Sequence, residues 1–556
     1  MLRTDFIVTL ILGLFLHAEG DSANQHAPVV QTALGGLKGV YMTVKGKESG
    51  VHAFLGVPFA YPPVGPELRL APPRPVQAWN GVKDATKQPP MCVQDVAFLE
   101  DVYTKMEMEI DIPGISEDCL YLNIYSPANT PPDAKLPVMV WIHGGGFTIG
   151  AASSYDGSAL SAYEDVVVVV IQYRLGILGF LSTGEKDMAG NFGLLDQVEA
   201  LKWVQQHIHN FGGNPDQVTI FGESAGGMSV SLLYLSPLSN GLFHRGIAES
   251  GTAALFETLS DPLIIAQMAA NMSGCSLESP EIISNCIRNL DLQKIVQLTE
   301  VRELIITVTI DGLFLPKPVN ELFRNHEFHK VPFMTGITSD EGGWLLPSSM
   351  APPNWTEGMT RDEVKGILSL FYTAERKDEA LNLIIDEFTG KSEDPKILRK
   401  AFTDILGDFV FNVPAVKTIN AHTDAGAPVY AYEYNFTPRM LKKLRPDFVG
   451  TDHADDIFSV FGLCFTTHIT LKEECSKEEE DFTQSVMRYW ANFAYTGSPN
   501  GKGLVHWPQY GKEENYLFID SEQVVRQGLR KDHFVFFTQT LPKMLEELEK
   551  KEHIEL

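Results

Sequence analysis

A serine flanked by glycines, between a strand-like and a helix-like segment, is the feature that most constrains how this chain can fold. The apolar residues 218–221 (VTIF) run directly into 222–226 (GESAG), and 227–234 (GMSVSLLY) have helical character. Glycines on both sides of Ser224 allow a sharp, strained turn that exposes the seryl Oγ above a parallel sheet. The pattern alone also occurs in ordinary loops, but the strand before it and the helix after it favour a nucleophile.

A glycine run upstream is predicted to supply backbone donors to the same site. Residues 143–146 (HGGG) follow the apolar segment 137–142 (PVMVWI), which we interpret as a buried strand. Attack of a serine on an ester carbonyl puts negative charge on oxygen, which pre-aimed donors must stabilise. We predict an oxyanion hole from the backbone N–H groups of Gly145, Gly146 and Ala225. The alternative is a flexible loop without chemistry, which the position after a strand disfavours.

The chain order of serine, then acid, then histidine limits the other members of a catalytic triad. The strand-like segment 331–336 (VPFMTG) is followed by Asp340 and Glu341, and position alone does not separate these carboxylates from each other or from a solvated loop. The later histidines are His453, His468, His506, His533 and His553. Only His453 lies in a compact polar loop, 450–456 (GTDHADD), before an apolar helix start.

These motifs resemble those of the type-B carboxylesterases of the α/β-hydrolase superfamily, a group that includes the cholinesterases. Further segments carry the resemblance over nearly the whole chain: 54–60 (FLGVPFA), 116–123 (SEDCLYLN), 173–176 (YRLG), 193–197 (GLLDQ) and 211–215 (FGGNP). The resemblance implies an α/β fold with a large, mostly parallel central sheet flanked by helices and carrying helical insertions. It also implies Glu341 as the acid and His453 as the base, with structural roles for Glu223 and Ser229.

Within the family, the C-terminal part is most similar to the vertebrate carboxylesterases of liver and intestine, and to the intestinal type. The segments concerned are 488–494 (RYWANFA), 497–501 (GSPNG), 506–508 (HWP) and 541–548 (LPKMLEEL). Residues 464–480 depart from the pattern of either type. The resemblance implies a serine esterase that forms an acyl-serine intermediate. Xenobiotic esters and acylglycerols are the expected substrates, with a small acyl group and a bulky alcohol preferred.

Six cysteines are present, and their spacing alone does not fix how they pair. The resemblance pairs Cys92 with Cys119 and Cys275 with Cys286, and exclusion leaves Cys464 with Cys475. The alternative for the last two is a pair of free, buried thiols. Glycosylation sequons begin at Asn271, Asn354 and Asn435, the third being disfavoured by the proline that directly follows it.

A cholinesterase and an inert adhesion or carrier module are the two alternatives to the esterase. A cholinesterase would be expected to carry a tryptophan in the loop closed by the first disulfide, and none lies between Cys92 and Cys119. An inert adhesion or carrier module of the same fold would typically lack a triad member and carry a membrane anchor. Here all three triad candidates are present and no anchor is visible in the sequence.

Length and the two termini predict the organisation of the chain. The 556 residues show no internal repeat or long linker, so we expect one catalytic domain, 21–552. Residues 1–20 combine Arg3 with an apolar run and small residues, which is typical of a signal peptide and too short for a stable membrane span. The tail 553–556 (HIEL) is similar to retrieval signals of the endoplasmic reticulum, so we expect a retrieval receptor as partner and a lumenal location.

Charge and motif content exclude several classes of partner. A net charge of −27 disfavours nucleic acid and anionic membranes, which attract basic surfaces. No His/Cys cluster at ligand spacing and no phosphate-binding Walker motif is found in the sequence. We therefore expect no cofactor and no metal, and small-molecule esters as the ligands.

Deleting residues 553–556 is expected to move the protein from the cell lysate into the medium of a secretory cell line, because a retrieval receptor would no longer recognise its tail. Immunoblots of both fractions measure the change, with deletion of 549–552 as a length-matched control. An unchanged distribution would show that the tail is only a helix end.

Overall fold

A β-sheet with parallel strands at its centre organises the chain. The computed structural model describes residues 27–105, 110, 112–131, 133–257, 261–301, 304, 308–372, 376–469, 471 and 473–555. Its strands are β1 (Val29–Thr32), β2 (Gly35–Lys38), β3 (Val40–Met42), β4 (Val51–Pro58), β5 (Val82–Asp84), β6 (Met91–Cys92), β7 (Ile115–Ser116), β8 (Tyr121–Pro127), β9 (Leu136–Ile142), β10 (Val167–Ile171), β11 (Gly213–Glu223), β12 (Arg245–Glu249), β13 (Phe333–Thr338), β14 (Val429–Tyr434), β15 (Asn515–Ile519) and β16 (Val524–Gln527). The predicted signal peptide, 1–20, lies outside the described residues.

Among the described residues, 11 strands form one sheet in the order β16-β15-β14-β13-β12-β11-β9-β10-β8-β4-β3. Every neighbouring pair from β15 to β10 is parallel, and the pairs at both edges are antiparallel. This arrangement confirms the predicted α/β class and the large, mostly parallel central sheet. The strands predicted before the serine, the glycine run and the acidic pair lie in β11, β9 and β13.

The core lies on both faces of the sheet, as the valine-rich strand β10 illustrates. Val167, Val169 and Ile171 pack into one apolar cluster, while Val168 and Val170 pack into another. Successive side chains of a strand point to opposite faces, so the alternation places a core on each side. All five side chains are fully buried, as expected for a central parallel strand covered on both faces.

Helices cover the sheet and form the insertions between its strands. The described α-helices are α1 (Val96–Lys105), α2 (Ser158–Glu164), α3 (Gly176–Phe180), α4 (Phe192–His207), α5 (Ala225–Leu235), α6 (Pro262–Met272), α7 (Pro280–Arg288), α8 (Leu292–Thr299), α9 (Val319–Arg324), α10 (Leu345–Met350), α11 (Arg361–Leu368), α12 (Lys377–Thr389), α13 (Pro395–Gly407), α14 (Val413–Asp424), α15 (Arg439–Lys442), α16 (Asp456–Val460), α17 (Lys477–Thr496), α18 (Lys531–Val535) and α19 (Leu541–Glu555). A π-helical turn, Asp408–Asn412, joins α13 to α14, and another, Phe536–Thr540, joins α18 to α19. No helix in the described part of the chain is both long and apolar enough to cross a membrane.

Three disulfides link segments around this framework. The bonds are Cys92–Cys119, Cys275–Cys286 and Cys464–Cys475, with S–S distances of 2.07, 2.12 and 2.08 Å. The pairing is the one expected from the sequence, and the alternative of two free thiols at Cys464 and Cys475 does not describe the structure.

The three sequons differ in their surroundings. Asn271 and Asn354 are exposed, as a glycan acceptor must be. The amide of Asn435 is partly buried and donates a hydrogen bond of 2.7 Å to Asp520. The hydroxyl of Thr437, the third residue of that sequon, is buried and donates to Thr451 at 2.9 Å. The surroundings therefore favour the first two sequons over the third.

Candidate active site

The candidate nucleophile occupies a strained turn between β11 and α5. Ser224 has φ 57° and ψ −124°, a backbone conformation that non-glycine residues rarely adopt and that the surrounding structure must impose. The constraint is the packing of the turn against the end of β9. A Cβ at Gly226 would lie 1.9 Å from the carbonyl oxygen of Ile142, and one at Gly222 would lie 2.4 Å from the same atom. The glycines that flank the serine are therefore required by close approach as well as by the turn.

The predicted oxyanion loop passes beside this turn. A Cβ at Gly144 would be only 3.0 Å from the Cβ of Ser224, so the glycine run and the serine are in direct contact. Gly145 and Gly146 both have positive φ, at 98° and 61°. The backbone N–H groups of Gly145, Gly146 and Ala225 donate no hydrogen bond to any residue that the structure describes. Three donors are thus free for an oxyanion.

The acid and the base meet at the same edge of the sheet. Glu341 Oε2 accepts a hydrogen bond of 2.7 Å from His453 Nδ1, and Glu341 Oε1 accepts one of 2.7 Å from the Thr338 N–H. Asp340 instead accepts a hydrogen bond of 2.8 Å from the Gly450 N–H. Position in the chain did not decide between Asp340 and Glu341. In the structure Glu341 forms a hydrogen bond with the histidine, and Asp340 stabilises the loop that carries this histidine.

Two further carboxylates fix the loop around the histidine. Asp452 accepts backbone hydrogen bonds from Trp344 at 2.9 Å and Leu345 at 2.8 Å, next to the acid segment. Asp455 forms a bidentate pair with Arg445, with both N–O distances at 2.8 Å. Burial raises the pKa of Asp452 to about 7. The position of the base therefore depends on contacts with two other segments rather than on its own loop alone.

The other late histidines have different surroundings. His468 and His506 are exposed, and His553 lies in α19. His533 Nδ1 donates to Asp408 at 2.7 Å. Of the late histidines whose side chains are described, His453 is the one in contact with an acidic residue that follows β13.

The second ring nitrogen of the histidine faces an unexpected partner. His453 Nε2 lies 3.0 Å from Glu223 Oε1. The two atoms are not aligned for a hydrogen bond, and no other described residue donates one to this oxygen. The Ser224 hydroxyl makes no hydrogen bond to a described residue. The structure therefore brings Glu341, His453 and Glu223 together, with Ser224 adjacent in the chain but not bonded to Nε2. The family resemblance implied only a structural role for Glu223, and the position of this residue beside the serine was the available signal.

The two carboxylates determine the electrostatics of the base. Burial by itself lowers the pKa of His453, but the nearby charges of Glu223 and Glu341 and the hydrogen bond to Glu341 outweigh it and raise the pKa well above its ordinary value. Burial also raises the pKa of Glu223. This environment stabilises the imidazolium, which is the form that a base adopts after it takes a proton from serine.

Two more acidic residues, Glu249 and Asp456, are fully buried behind the site. Glu249 accepts from the Trp490 indole N–H at 2.7 Å, and Asp456 accepts from the Tyr432 hydroxyl at 3.3 Å. The other oxygen of each carboxylate has no partner among the residues that the structure describes, and burial raises both pKa values well above the ordinary range. Sequence reasoning missed them, because their burial follows from the packing of β12 and α16.

Comparisons with known proteins identify the family of the chain. Residues 26–537 match the model of the carboxylesterase family. The chain is 45% identical over 548 residues to pyrethroid hydrolase Ces2e of Rattus norvegicus, covering 98% of this chain and 94% of the relative. It is 43% identical to the acylcarnitine hydrolase of Mus musculus, covering 97% and 95%. It is also 45% identical to the cocaine esterase of Oryctolagus cuniculus, covering 96% and 100%.

A parallel-centred sheet with its candidate site at the carboxyl ends of the strands defines an enzyme of the α/β-hydrolase class. The chain belongs to the carboxylesterase family, and it is a carboxylic-ester hydrolase. The resemblance to vertebrate carboxylesterases that was predicted from the sequence is confirmed.

Replacing Glu223 by Gln is expected to move the acidic limb of the kcat/KM profile to lower pH, because a nearby carboxylate no longer raises the pKa of His453. A base must be neutral to act, so activity rises as the pH passes that pKa. The profile is measured alongside Glu513→Gln, which removes an exposed carboxylate. No shift, or a shift to higher pH, would contradict the assigned role of Glu223.

Proposed function

We propose that the protein is a serine carboxylesterase that works by two-step acyl transfer. Ser224 is the nucleophile, His453 the general base, and Glu341 the residue that orients the imidazole. The observation that carries this proposal is the buried 2.7 Å hydrogen bond between Glu341 and His453, at the sheet edge where the strained serine turn ends β11. The order of the three residues along the chain is the one expected for this class.

The first step forms the acyl-enzyme. Ser224 Oγ attacks the carbonyl carbon of the ester while His453 Nε2 takes the seryl proton. For this, the imidazole must turn its Nε2 from Glu223 towards Ser224, the next residue in the chain. The developing oxyanion accepts hydrogen bonds from the free backbone N–H groups at Gly145, Gly146 and Ala225. Collapse breaks the ester C–O bond, and the alcohol leaves with the proton held by His453.

The second step releases the acid. A water molecule attacks the carbonyl carbon of the acyl-serine while His453 Nε2 takes one of its protons. The same backbone donors stabilise the second oxyanion. Collapse breaks the bond to Ser224 Oγ, which receives the proton from His453, and the carboxylic acid departs. Throughout, the charge of Glu341 stabilises the imidazolium without itself accepting the proton.

The proposed substrates are carboxylic esters, including xenobiotic esters, with acylglycerols as a physiological class. The names of the relatives refer to pyrethroids, acylcarnitine and cocaine, which are all esters. The similarity to the intestinal type supports a preference for a small acyl group and a bulky alcohol. Amides and thioesters are proposed as slower substrates.

The proposed location is the lumen of the endoplasmic reticulum, reached through a cleaved signal peptide at 1–20 and kept by a retrieval receptor that binds 553–556. The three disulfides support passage through an oxidising compartment. The exposed sequons at Asn271 and Asn354 are the proposed glycosylation sites, with Asn435 as the weaker third. Residues 21–552 are proposed to form the catalytic domain.

Ser224→Ala and His453→Gln are each expected to lower kcat by several orders of magnitude while the protein remains folded, because triad members act as a unit. Glu341→Gln should cost far more activity than the adjacent Asp340→Asn, since Glu341 is the carboxylate that contacts His453. Turnover of a chromogenic ester, with circular dichroism as the folding control, measures both effects. Near-normal turnover by a folded Ser224→Ala protein would disprove the mechanism, and a larger loss in Asp340→Asn would disprove the choice of acid.

A panel of esters that crosses small and large acyl groups with small and large alcohols is expected to give the highest kcat/KM for a small acyl group with a bulky alcohol. The reason is the similarity to the intestinal type, and a serine-directed organophosphate provides the blank for each substrate. The opposite order would refute the proposed preference while leaving the esterase activity itself intact.

A further inference from the structure

One continuous helical run contacts both the acid and the base of the proposed triad. It consists of α13, the π-helical turn Asp408–Asn412 and α14. At Gly407, which ends α13, an added Cβ would lie 3.3 Å from the Cβ of Glu341. Four residues later, the ring of Phe411 stacks on the imidazole of His453, with a centroid distance of 4.2 Å and an interplanar angle of 26°. This run therefore packs against both Glu341 and His453, the proposed acid and base.

The π-helical turn sets where that ring lies. In this turn the Val413 N–H donates to the carbonyl of Asp408, five residues earlier, instead of four as in an α-helix. The wider turn inserts one residue into the helical register and so changes the face on which Phe411 projects. Such turns are uncommon and frequently occur at functional sites. Its geometry must be supported by contacts, because it departs from the ladder of the flanking helices.

The support comes from a buried carboxylate. Asp408 is 1% exposed, and its Oδ1 accepts a hydrogen bond of 2.8 Å from the Asn412 amide across the turn. Its Oδ2 accepts a hydrogen bond of 2.7 Å from Nδ1 of His533, which lies on α18. A buried carboxylate is costly unless it is paired. The His533 contact is thus what allows Asp408 to close the turn.

The histidine itself reaches the protein surface. Its side chain is 38% exposed, and its ring lies 5.0 Å from that of Phe388. The hydrogen bond to Asp408 raises the pKa of His533 above its ordinary value, with Asp404 also raising it, while burial and Arg530 lower it. Arg530 donates to the Ser339 carbonyl, directly before the acid segment. Residues at the start of α18 therefore contact both the π-helical turn and the segment that carries Glu341.

We propose that His533 is a positioning residue for ester hydrolysis. By its hydrogen bond to Asp408 it fixes the π-helical turn that holds Phe411 against the imidazole of His453. The orientation of the base then depends on a side chain at the surface. The proposal rests on the proposed role of His453 as general base.

The need for such a support follows from what the base must do. The imidazole turns its Nε2 between Glu223 and Ser224 during the reaction, while Nδ1 stays on Glu341. A flat ring packed at 4.2 Å confines this rotation to the plane of the imidazole. Loss of the His533 contact would leave Asp408 with an uncompensated buried charge. The turn would then rearrange, and the ring of Phe411 would move with it.

The first test compares His533→Leu with His533→Asn, whose amide can donate from the position of Nδ1. His533→Leu is expected to lower kcat roughly 3- to 30-fold with KM changed less than about 2-fold, in the range of couplings transmitted through packed side chains. His533→Asn should recover most of the loss. The rate is expressed per site titrated with a serine-directed organophosphate, so misfolded protein does not count. His506→Leu, at an exposed histidine, is the matched control.

A spectroscopic readout separates positioning from stability alone. The downfield proton of the hydrogen bond between His453 and Glu341 should shift in His533→Leu and return in His533→Asn, as observed by proton NMR. In the Asp408→Asn background, His533→Leu should cost clearly less than in the parent, because the shared contact is already weakened. A lower Tm with an unchanged rate per site and an unchanged proton resonance would overturn the proposal.

If His533→Leu does not fold, Phe411→Leu tests the same step, since it keeps the pair between Asp408 and His533. Its kcat per site must fall with little change in KM, and a rate within about 2-fold of the parent would overturn the proposal. Ser224→Ala is assayed in parallel. Loss of activity there with no effect at His533 or Phe411 refutes the positioning role alone. Retained activity in Ser224→Ala refutes the proposed function itself.

Discussion

The hydrogen bond between Glu341 and His453 is the interaction on which the rest of the site depends. It joins two loops that are 112 residues apart in the chain, and both partners are buried. Breaking a buried pair by removing one partner leaves the other uncompensated, at a cost of about 3–5 kcal/mol. The surrounding contacts serve to keep this pair in place. Asp340 and Asp452 connect the histidine loop back to the acid segment, so the two loops behave as one unit.

The base is held between two carboxylates, and this arrangement has opposing effects. Glu223 and Glu341 both stabilise the imidazolium, which is the form that His453 adopts in the charged intermediates of the proposed acyl transfer. The same attraction increases the pH at which the free imidazole becomes available as a base. Burial raises the pKa of both Glu249 and Asp456, which opposes the ionisation of these two carboxyl groups near the site.

The elements around the serine could be predicted because their signals are local. The glycines that flank Ser224 and the glycine run that ends at Gly146 both follow apolar strand segments. Each pattern can be recognised from a few consecutive residues. The choice between Asp340 and Glu341 could not be made in this way. Adjacent residues in a turn face different partners, and which of them faces His453 depends on a loop more than a hundred residues away. The resemblance to the family made the choice, and the geometry agrees with it.

The π-helical turn at Asp408 had no signal in the sequence, because its hydrogen bonds depend on the contact between Asp408 and His533 rather than on local propensity. A turn of this kind departs from the hydrogen-bond ladder of the flanking helices, so it persists only where contacts support it. The turn of Ser224 is the other example, held by the approach of Gly226 to the carbonyl of Ile142. The π-helical turn contacts the imidazole of His453 through Phe411, and the turn of Ser224 lies next to Glu223, which contacts the same imidazole. Each turn departs from regular geometry beside a residue of the proposed triad, which indicates that these departures belong to the site rather than to the fold at large.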